Sequence, residues 1–179
     1  MIITLIGMPG SGKSCMGKSL STKLHMKMID GDKLIESIHN KKLHEIISDV
    51  GLEGFKDVEH DALMSINEDD VIISPGGSAV YYDDFMQKCK ERGLVVYLYC
   101  SPDTIISRIG DFSKRGIVLK EGYTIHDLYK ERAPLFERYA DITINCDGDA
   151  YSKYRHVIFT EVNKYINRIN KKIEKNPKY

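Results

Sequence analysis

The chain has 179 residues and 20.4 kDa, with 26 Lys+Arg against 26 Asp+Glu, so its formal net charge is zero. That length suits one domain with a real hydrophobic core, and 42% hydrophobic with 29% charged residues exclude a wholly disordered, collagen-like or membrane-embedded chain. Balanced charge also excludes a globally basic nucleic-acid binder, so any affinity for anions must come from local geometry.

In chain order, Ile2 to Ile6 is a short β-rich run ended by glycine and proline, and Lys13 to Leu24 spaces Met16, Leu20 and Leu24 as on one helix face. Further strands are expected at Met26 to Ile29, Val71 to Ser74, Leu94 to Tyr99 and Ile142 to Asn145. Helical stretches fall around Lys33 to Asn40, Phe55 to Ile66, Asp83 to Glu91, Pro102 to Arg108 and Tyr123 to Arg138. Strands alternating with helices predict an α/β domain with a mostly parallel sheet and right-handed crossovers. Gly110 to Gly122 is polar and aperiodic, which marks a loop of the length that lids have. Residues 163–179 hold six basic side chains against one acidic; Ile166, Ile169 and Ile173 keep helical spacing there, so a basic helix is expected to pack one face and fray before Pro177.

Cys15, Cys89, Cys100 and Cys146 are irregularly spaced, which suggests reduced thiols in a cytoplasmic protein and neither a disulfide framework nor a zinc site. The longest apolar run, Leu94 to Cys100, falls far short of the roughly 20 residues a bilayer requires, so no membrane span is expected. The six histidines show no metal spacing and no nucleophile partner.

The clearest functional signal is Gly7-Met8-Pro9-Gly10-Ser11-Gly12-Lys13-Ser14, which fits G-x-x-x-x-G-K-[ST] after an expected strand and at the start of an expected helix. Glycines there let the backbone curl so that successive N–H groups point at phosphate oxygens, and the helix dipole adds positive potential. Lys13 is placed to reach the β- and γ-phosphates of a nucleotide and Ser14 to hold magnesium. The motif alone serves a GTPase, an ATPase motor or a small-molecule kinase. A base-reading N-K-x-D is absent, and the third strand ends in Ser-Pro-Gly-Gly instead of a carboxylate, which disfavours the first two.

Three features point to a small anionic or hydroxylated substrate. Asp30-Gly31-Asp32 follows the second expected strand, at the sheet edge where open α/β folds bind ligands. In an extended turn one carboxylate serves a metal while the other meets a substrate hydroxyl; alternatively, one of them caps the next helix. Pro75-Gly76-Gly77-Ser78 lies beyond the third strand, where paired glycines permit close approach to a ligand or form a plain turn. Arg115 sits in the candidate lid and Arg132 opens the run RAPLF; each is also open to a surface ion-pair reading.

Together these residues resemble the shikimate kinase family of small-molecule P-loop kinases. The resemblance covers Met1 to about Cys146 and rests on ordered motifs: the loop Gly7 to Ser14, D-x-D-x-x-I-E at Asp30 to Glu36, the Gly51-x-x-x-Phe55-Lys56-x-x-Glu59 block, Gly76-Gly77, Arg115, and R-A-P-L-F followed by Ala-Asp at Arg132 to Asp141. It implies a three-layer P-loop kinase fold, a five-stranded parallel sheet in order 2-3-1-4-5 flanked by helices, with a lid. The chain is expected to form one domain, with the lid at about 110–122 and a basic C-terminal helix and tail at about 151–179. It implies transfer of the ATP γ-phosphoryl to the 3-hydroxyl of shikimate, with ATP and Mg2+ as cofactors. Gly10, Ser11, Gly12, Lys13, Ser14 and Cys15 would wrap the phosphates, Ser14 and Asp30 would organise magnesium, and Arg108 would lie by the adenine. Asp32 would orient the attacking hydroxyl and accept its proton; Lys56, Gly76, Gly77 and Arg132 would hold the substrate; Arg115 would stabilise the transferring phosphoryl. Lys13, Asp32 and Arg115 form the implied catalytic set.

The chain departs from the family at Lys56, where arginine is usual, at Ser78, where a third glycine is usual, and at Asp147-Gly148-Asp149, where an adenine-side arginine and proline are usual. An arginine fork binds carboxylate bidentately, while lysine is a point charge. Shikimate is thus the first acceptor to expect, and another polyhydroxylated acid, cyclitol or sugar the alternative. A regulatory nucleotide-binding protein using the basic helix on a partner is a further reading, with nucleic acid disfavoured as that partner. A cytoplasmic monomer is expected, with a dimer as the alternative.

Overall fold

In the computed structural model, residues 1–110, 122–148 and 151–175 are described. The candidate lid, with Arg115, and the tail beyond 175 therefore lie outside the described residues. In chain order the elements are β1 (Ile2–Ile6), α1 (Lys13–Leu24), β2 (Lys27–Asp30), α2 (Gly31–His39), α3 (Leu43–Met64), β3 (Val71–Ser74), a 3-10 turn (Ala79–Tyr81), α4 (Asp83–Arg92), β4 (Gly93–Tyr99), α5 (Pro102–Ile109), α6 (Ile125–Tyr139), β5 (Ile142–Asn145) and α7 (Tyr151–Lys175).

All strand pairs are parallel and the order is β2-β3-β1-β4-β5, as the family resemblance implies. β1 and β3 are buried along their whole length because helices cover both faces of the sheet, so these strands are near-continuous aliphatic runs. β2 and β5, at the two edges, alternate between buried and more exposed positions. One core joins the sheet to α1, α4, α5, α6 and α7, with Leu20, Phe85, Ile105, Phe136 and Ile158 among its buried members.

One expectation is corrected. The helix expected from Phe55 begins at Leu43, because Glu36 and Glu45 carboxylates accept the N–H groups of Leu43 and Lys42, at 3.3 and 2.7 Å. It then passes a kink at Gly51, whose φ of 71° and ψ of 177° are not helical. The Glu36 cap comes from the preceding helix and Gly51 interrupts the helical period, so the only local signature of the start at Leu43 is the Glu45 side of its capping box. α7 buries Tyr154, Ile158 and Val162, at i, i+4 and i+8, and the stripe continues at i+12 into Ile166, the first of the isoleucine series, which is partly buried beside Tyr165.

Candidate active site

The strands deliver the site residues to one edge. β1 is the central strand, with neighbours that leave in opposite directions along the sheet, so the loop after it opens at the switch point where open α/β sheets bind ligands. Asp30 and Ser74 are register partners at the ends of β2 and β3. Ser14, in the first turn of α1, brings its Oγ to 3.5 Å from Ser74 Oγ. Ser14, Ser74 and Asp30 thus form an oxygen-lined corner beneath the phosphate loop.

The loop itself is built by glycine. Gly12 takes φ 98° immediately before α1, a left-handed conformation that L side chains rarely adopt, and so turns the chain into the helix. Lys13 lies at 9% exposure and donates from Nζ to the carbonyls of Gly7 and Met8, at 2.8 and 3.1 Å. Burial strips its ammonium of water and lowers its pKa to about 8, against the pull of Asp32, while Arg132 lowers it further. Ser11 Oγ is buried without a hydrogen-bond partner among the described residues. A helix N-terminus and a buried lysine that donates to two backbone carbonyls form a donor set that suits a polyphosphate. The Ser14, Ser74 and Asp30 oxygens suit a hard divalent cation that keeps several waters and shares phosphate oxygens.

The D-x-D pair departs from the extended turn expected for it. Asp30 caps α2, accepting from the Lys33 N–H at 3.3 Å, so the helix begins at Gly31 and Asp32 stands in its first turn. The capping alternative therefore holds for Asp30. α2 starts hard against the Pro75–Gly76 turn, since a Cβ on Gly31 would lie 3.0 Å from Pro75 Cα. Asp32 retains solvent-exposed surface, yet protein crowds it within the cleft; that desolvation, and then the charge of Asp30, raise its carboxyl above the ordinary aspartate range, while Lys13 opposes the rise.

A single cleft of about 1280 Å³ is lined by Gly10, Gly12, Lys13, Ser14, Cys15, Asp30, Asp32, Lys56, Gly76, Gly77, Arg108 and Arg132. Of the residues expected at the site, only Ser11, buried behind the loop, and Arg115, outside the described residues, are missing from that lining. Arg108 stands at one end, its guanidinium donating to the carbonyls of Cys146 and Gly148 at 2.6 and 2.7 Å. Arg132 stands near the Gly-Gly turn, where a Cβ on Gly77 would come 3.0 Å from its Nη1 and 2.9 Å from Pro9 Cδ. Gly77 is therefore required by close approach. Lys56 lines the cleft, but its ammonium bonds both oxygens of Glu53 at 2.8 Å.

Further residues line the cleft beyond those given a role from the sequence: Glu59, Ser74 and Ser78, which lie within quoted motifs, and Tyr81, Tyr82, Tyr123 and Glu131, which lie in none. Tyr81 and Tyr123 donate to the two carboxylate oxygens of Glu131, so the turn after β3, the middle of α6 and the residue just beyond the lid segment are tied together. Glu59, three positions after Lys56 on α3, had a sequence signal in that helical spacing. The tyrosines had none.

The family model described as shikimate kinase matches residues 9–172. The chain belongs to the shikimate kinase family. A shikimate kinase from Sulfurihydrogenibium sp. is 34% identical over 161 residues, covering 89% of this chain and 96% of the relative. One from Bacillus anthracis is 37% identical over 119 residues, covering 66% and 72%. Among solved structures, shikimate kinase from Acinetobacter baumannii in complex with shikimate is similar with a TM-score of 0.83 and 26% identity, covering 92% of this chain and 93% of that one. A gluconokinase from Sinorhizobium meliloti, at 13% identity and a TM-score of 0.61, shares the fold. The family's Ala-Asp motif has a structural use here: Asp141 Oδ2 accepts from the Val95 N–H at 2.9 Å and Oδ1 from Lys90 Nζ at 3.0 Å, anchoring the start of β5 to β4. Among the described residues no helix is long and apolar enough to cross a membrane.

Proposed function

We propose that the chain is an ATP-dependent kinase that phosphorylates the 3-hydroxyl of shikimate, acting in the cytoplasm as a single-domain monomer with a lid at about 110–122. The observation that carries this reading is the convergence on one cleft of the phosphate loop with Lys13, the D-x-D carboxylates and the Gly77–Arg132 contact, in a chain similar along nine-tenths of its length to a shikimate-bound kinase.

The loop from Gly10 to Cys15 binds the nucleotide phosphates through backbone N–H groups, and Lys13 exchanges its two carbonyl partners for phosphate oxygens. Ser14 and Asp30 would hold magnesium, whose charge would offset that of the phosphates. Asp32 orients the attacking hydroxyl and takes its proton; its raised pKa makes it a better base than an ordinary aspartate. Arg132 meets the acceptor's carboxylate, Gly76 and Gly77 let the acceptor approach the backbone, and Lys56 contributes positive charge. Arg115 closes onto the transferring phosphoryl and Arg108 borders the adenine. Because phosphoryl transfer passes through a loose transition state, positioning and charge dominate over base strength.

A second acceptor reading, another polyhydroxylated acid, cyclitol or sugar, is favoured by one observation: Lys56 is engaged by Glu53. Purified protein assayed with MgATP against shikimate and a panel of such compounds separates the two. Turnover on shikimate is expected; turnover on a panel member with none on shikimate reassigns the acceptor. Full turnover by Lys13→Ala overturns the kinase reading itself.

A further inference from the structure

Glu59 is the only carboxylate buried among the described residues, at 3% exposure. Glutamate is rarely so buried unless a partner compensates its charge. Here its hydrogen-bond partners among the described residues are neutral hydroxyls on the segment after β3: Ser78 Oγ donates to Glu59 Oε2 at 2.6 Å and Tyr82 Oη to the same oxygen at 2.9 Å. The other oxygen, Oε1, lies so close to Gly76 that a side chain at that position would overlap it. Lys56, on the same helix, is turned to Glu53. Two hydroxyl donors on one oxygen thus hold the carboxylate as a negatively charged wall of the cleft, pressed against the Gly76–Gly77 turn, with Oε1 taking no hydrogen bond from a described side chain.

We propose that Ser78 is a positioning and specificity residue for the acceptor: with Tyr82 it locks Glu59 so that Oε1 faces the acceptor and selects a hydroxyl donor at that edge. The negative wall repels a carboxylate there, so an acidic acceptor binds in one orientation, its hydroxyl edge at Glu59 and its carboxylate at Arg132. Ser78 acts through Glu59 and touches no reacting atom. The inference rests on the reading of this cleft as a kinase acceptor site.

Steady-state kinetics with MgATP and shikimate on Ser78→Ala, Ser78→Thr and Tyr82→Phe test it, with crystal structures of the wild type and Ser78→Ala. Removing one hydroxyl from a charged acceptor is expected to raise the shikimate KM about three- to tenfold in Ser78→Ala and in Tyr82→Phe, with kcat and the ATP KM changed less than about twofold. Ser78→Thr, which keeps the hydroxyl, should retain the wild-type shikimate KM. An unchanged KM in Ser78→Ala, a Thr variant as impaired as the Ala variant, or a parallel loss in the ATP KM overturns the inference. If the wild type does not turn over shikimate, the acceptor assignment has failed and the structures decide the role of Ser78: a Glu59 carboxylate displaced from Gly76 in Ser78→Ala supports it, and one that stays in place overturns it.

Discussion

Arg132 Nε donates to the Tyr81 hydroxyl at 3.0 Å, and its guanidinium carbon lies 5.1 Å from the centre of the same ring. Tyr81 spends its own proton on Glu131, so its oxygen is left as an acceptor for the arginine. Hydrogen bond and ring face together fix a side chain that would otherwise sample many rotamers. Tyr81→Phe keeps the ring and loses the bond. The expected result is a rise of about three- to fivefold in the acceptor KM with the ATP KM unchanged, the magnitude of one hydrogen bond to a charged group at a partly exposed site. Equal KM values for both substrates in mutant and wild type would remove Tyr81 from the acceptor site.

Lys13 carries a pH signature. In the empty protein its pKa is lowered to about 8 by burial, and phosphate oxygens favour its charged form. Below pH 8 the lysine is already protonated and binding needs no proton. Above pH 8 the neutral lysine must take one up, so ADP affinity is expected to fall as pH rises from 8 toward 10. Calorimetry in buffers of different ionisation enthalpy should detect that uptake at pH 9 and find it missing in Lys13→Met.

Asp32 is expected to give the acid limb of the rate profile. Its carboxyl is raised by desolvation and by Asp30, so it loses its charge at a higher pH than a free aspartate, and kcat/KM should fall on acidification starting above the ordinary value of 3.8. Asp32→Asn should lower kcat by about a hundredfold or more, in line with the loss of a positioned general base, and leave ADP binding within a few-fold. A variant that keeps its kcat would assign the proton to another acceptor.

Gly77→Ala tests the tight contact between the acceptor turn and the phosphate loop. The added Cβ would stand 2.9 Å from Pro9 Cδ and 3.0 Å from Arg132 Nη1, so either the loop or the arginine must shift. Overpacking of this kind costs about 1–3 kcal/mol, measurable by thermal unfolding, and the acceptor KM should rise at the same time. Wild-type stability with wild-type KM would show that both neighbours yield freely.

Much of this protein is written in short stretches of sequence. The strand, loop and helix from Ile2 to Leu24 follow from local chemistry, because a glycine at positive φ and the first turn of a helix are neighbours in the chain. The β-rich runs that became β3 and β5 kept their bounds, and those of β2 and β4 shifted by one residue at one or both ends. The order 2-3-1-4-5 came through resemblance, since periodicity says which segments are strands and not which of them pair. What only the tertiary structure decided is how side chains distant in sequence meet. Ser78 reaches Glu59 across 19 positions, and Arg132 reaches Tyr81 across 51. Lys56 has glutamates three positions away on both sides and bonds the one at 53, while Glu59 is buried against the hydroxyls of Ser78 and Tyr82, a pairing that no motif announces. Local sequence sets backbone angles and caps; the direction in which a side chain meets a partner depends on how β3 and α3 are packed, which is a property of the whole sheet.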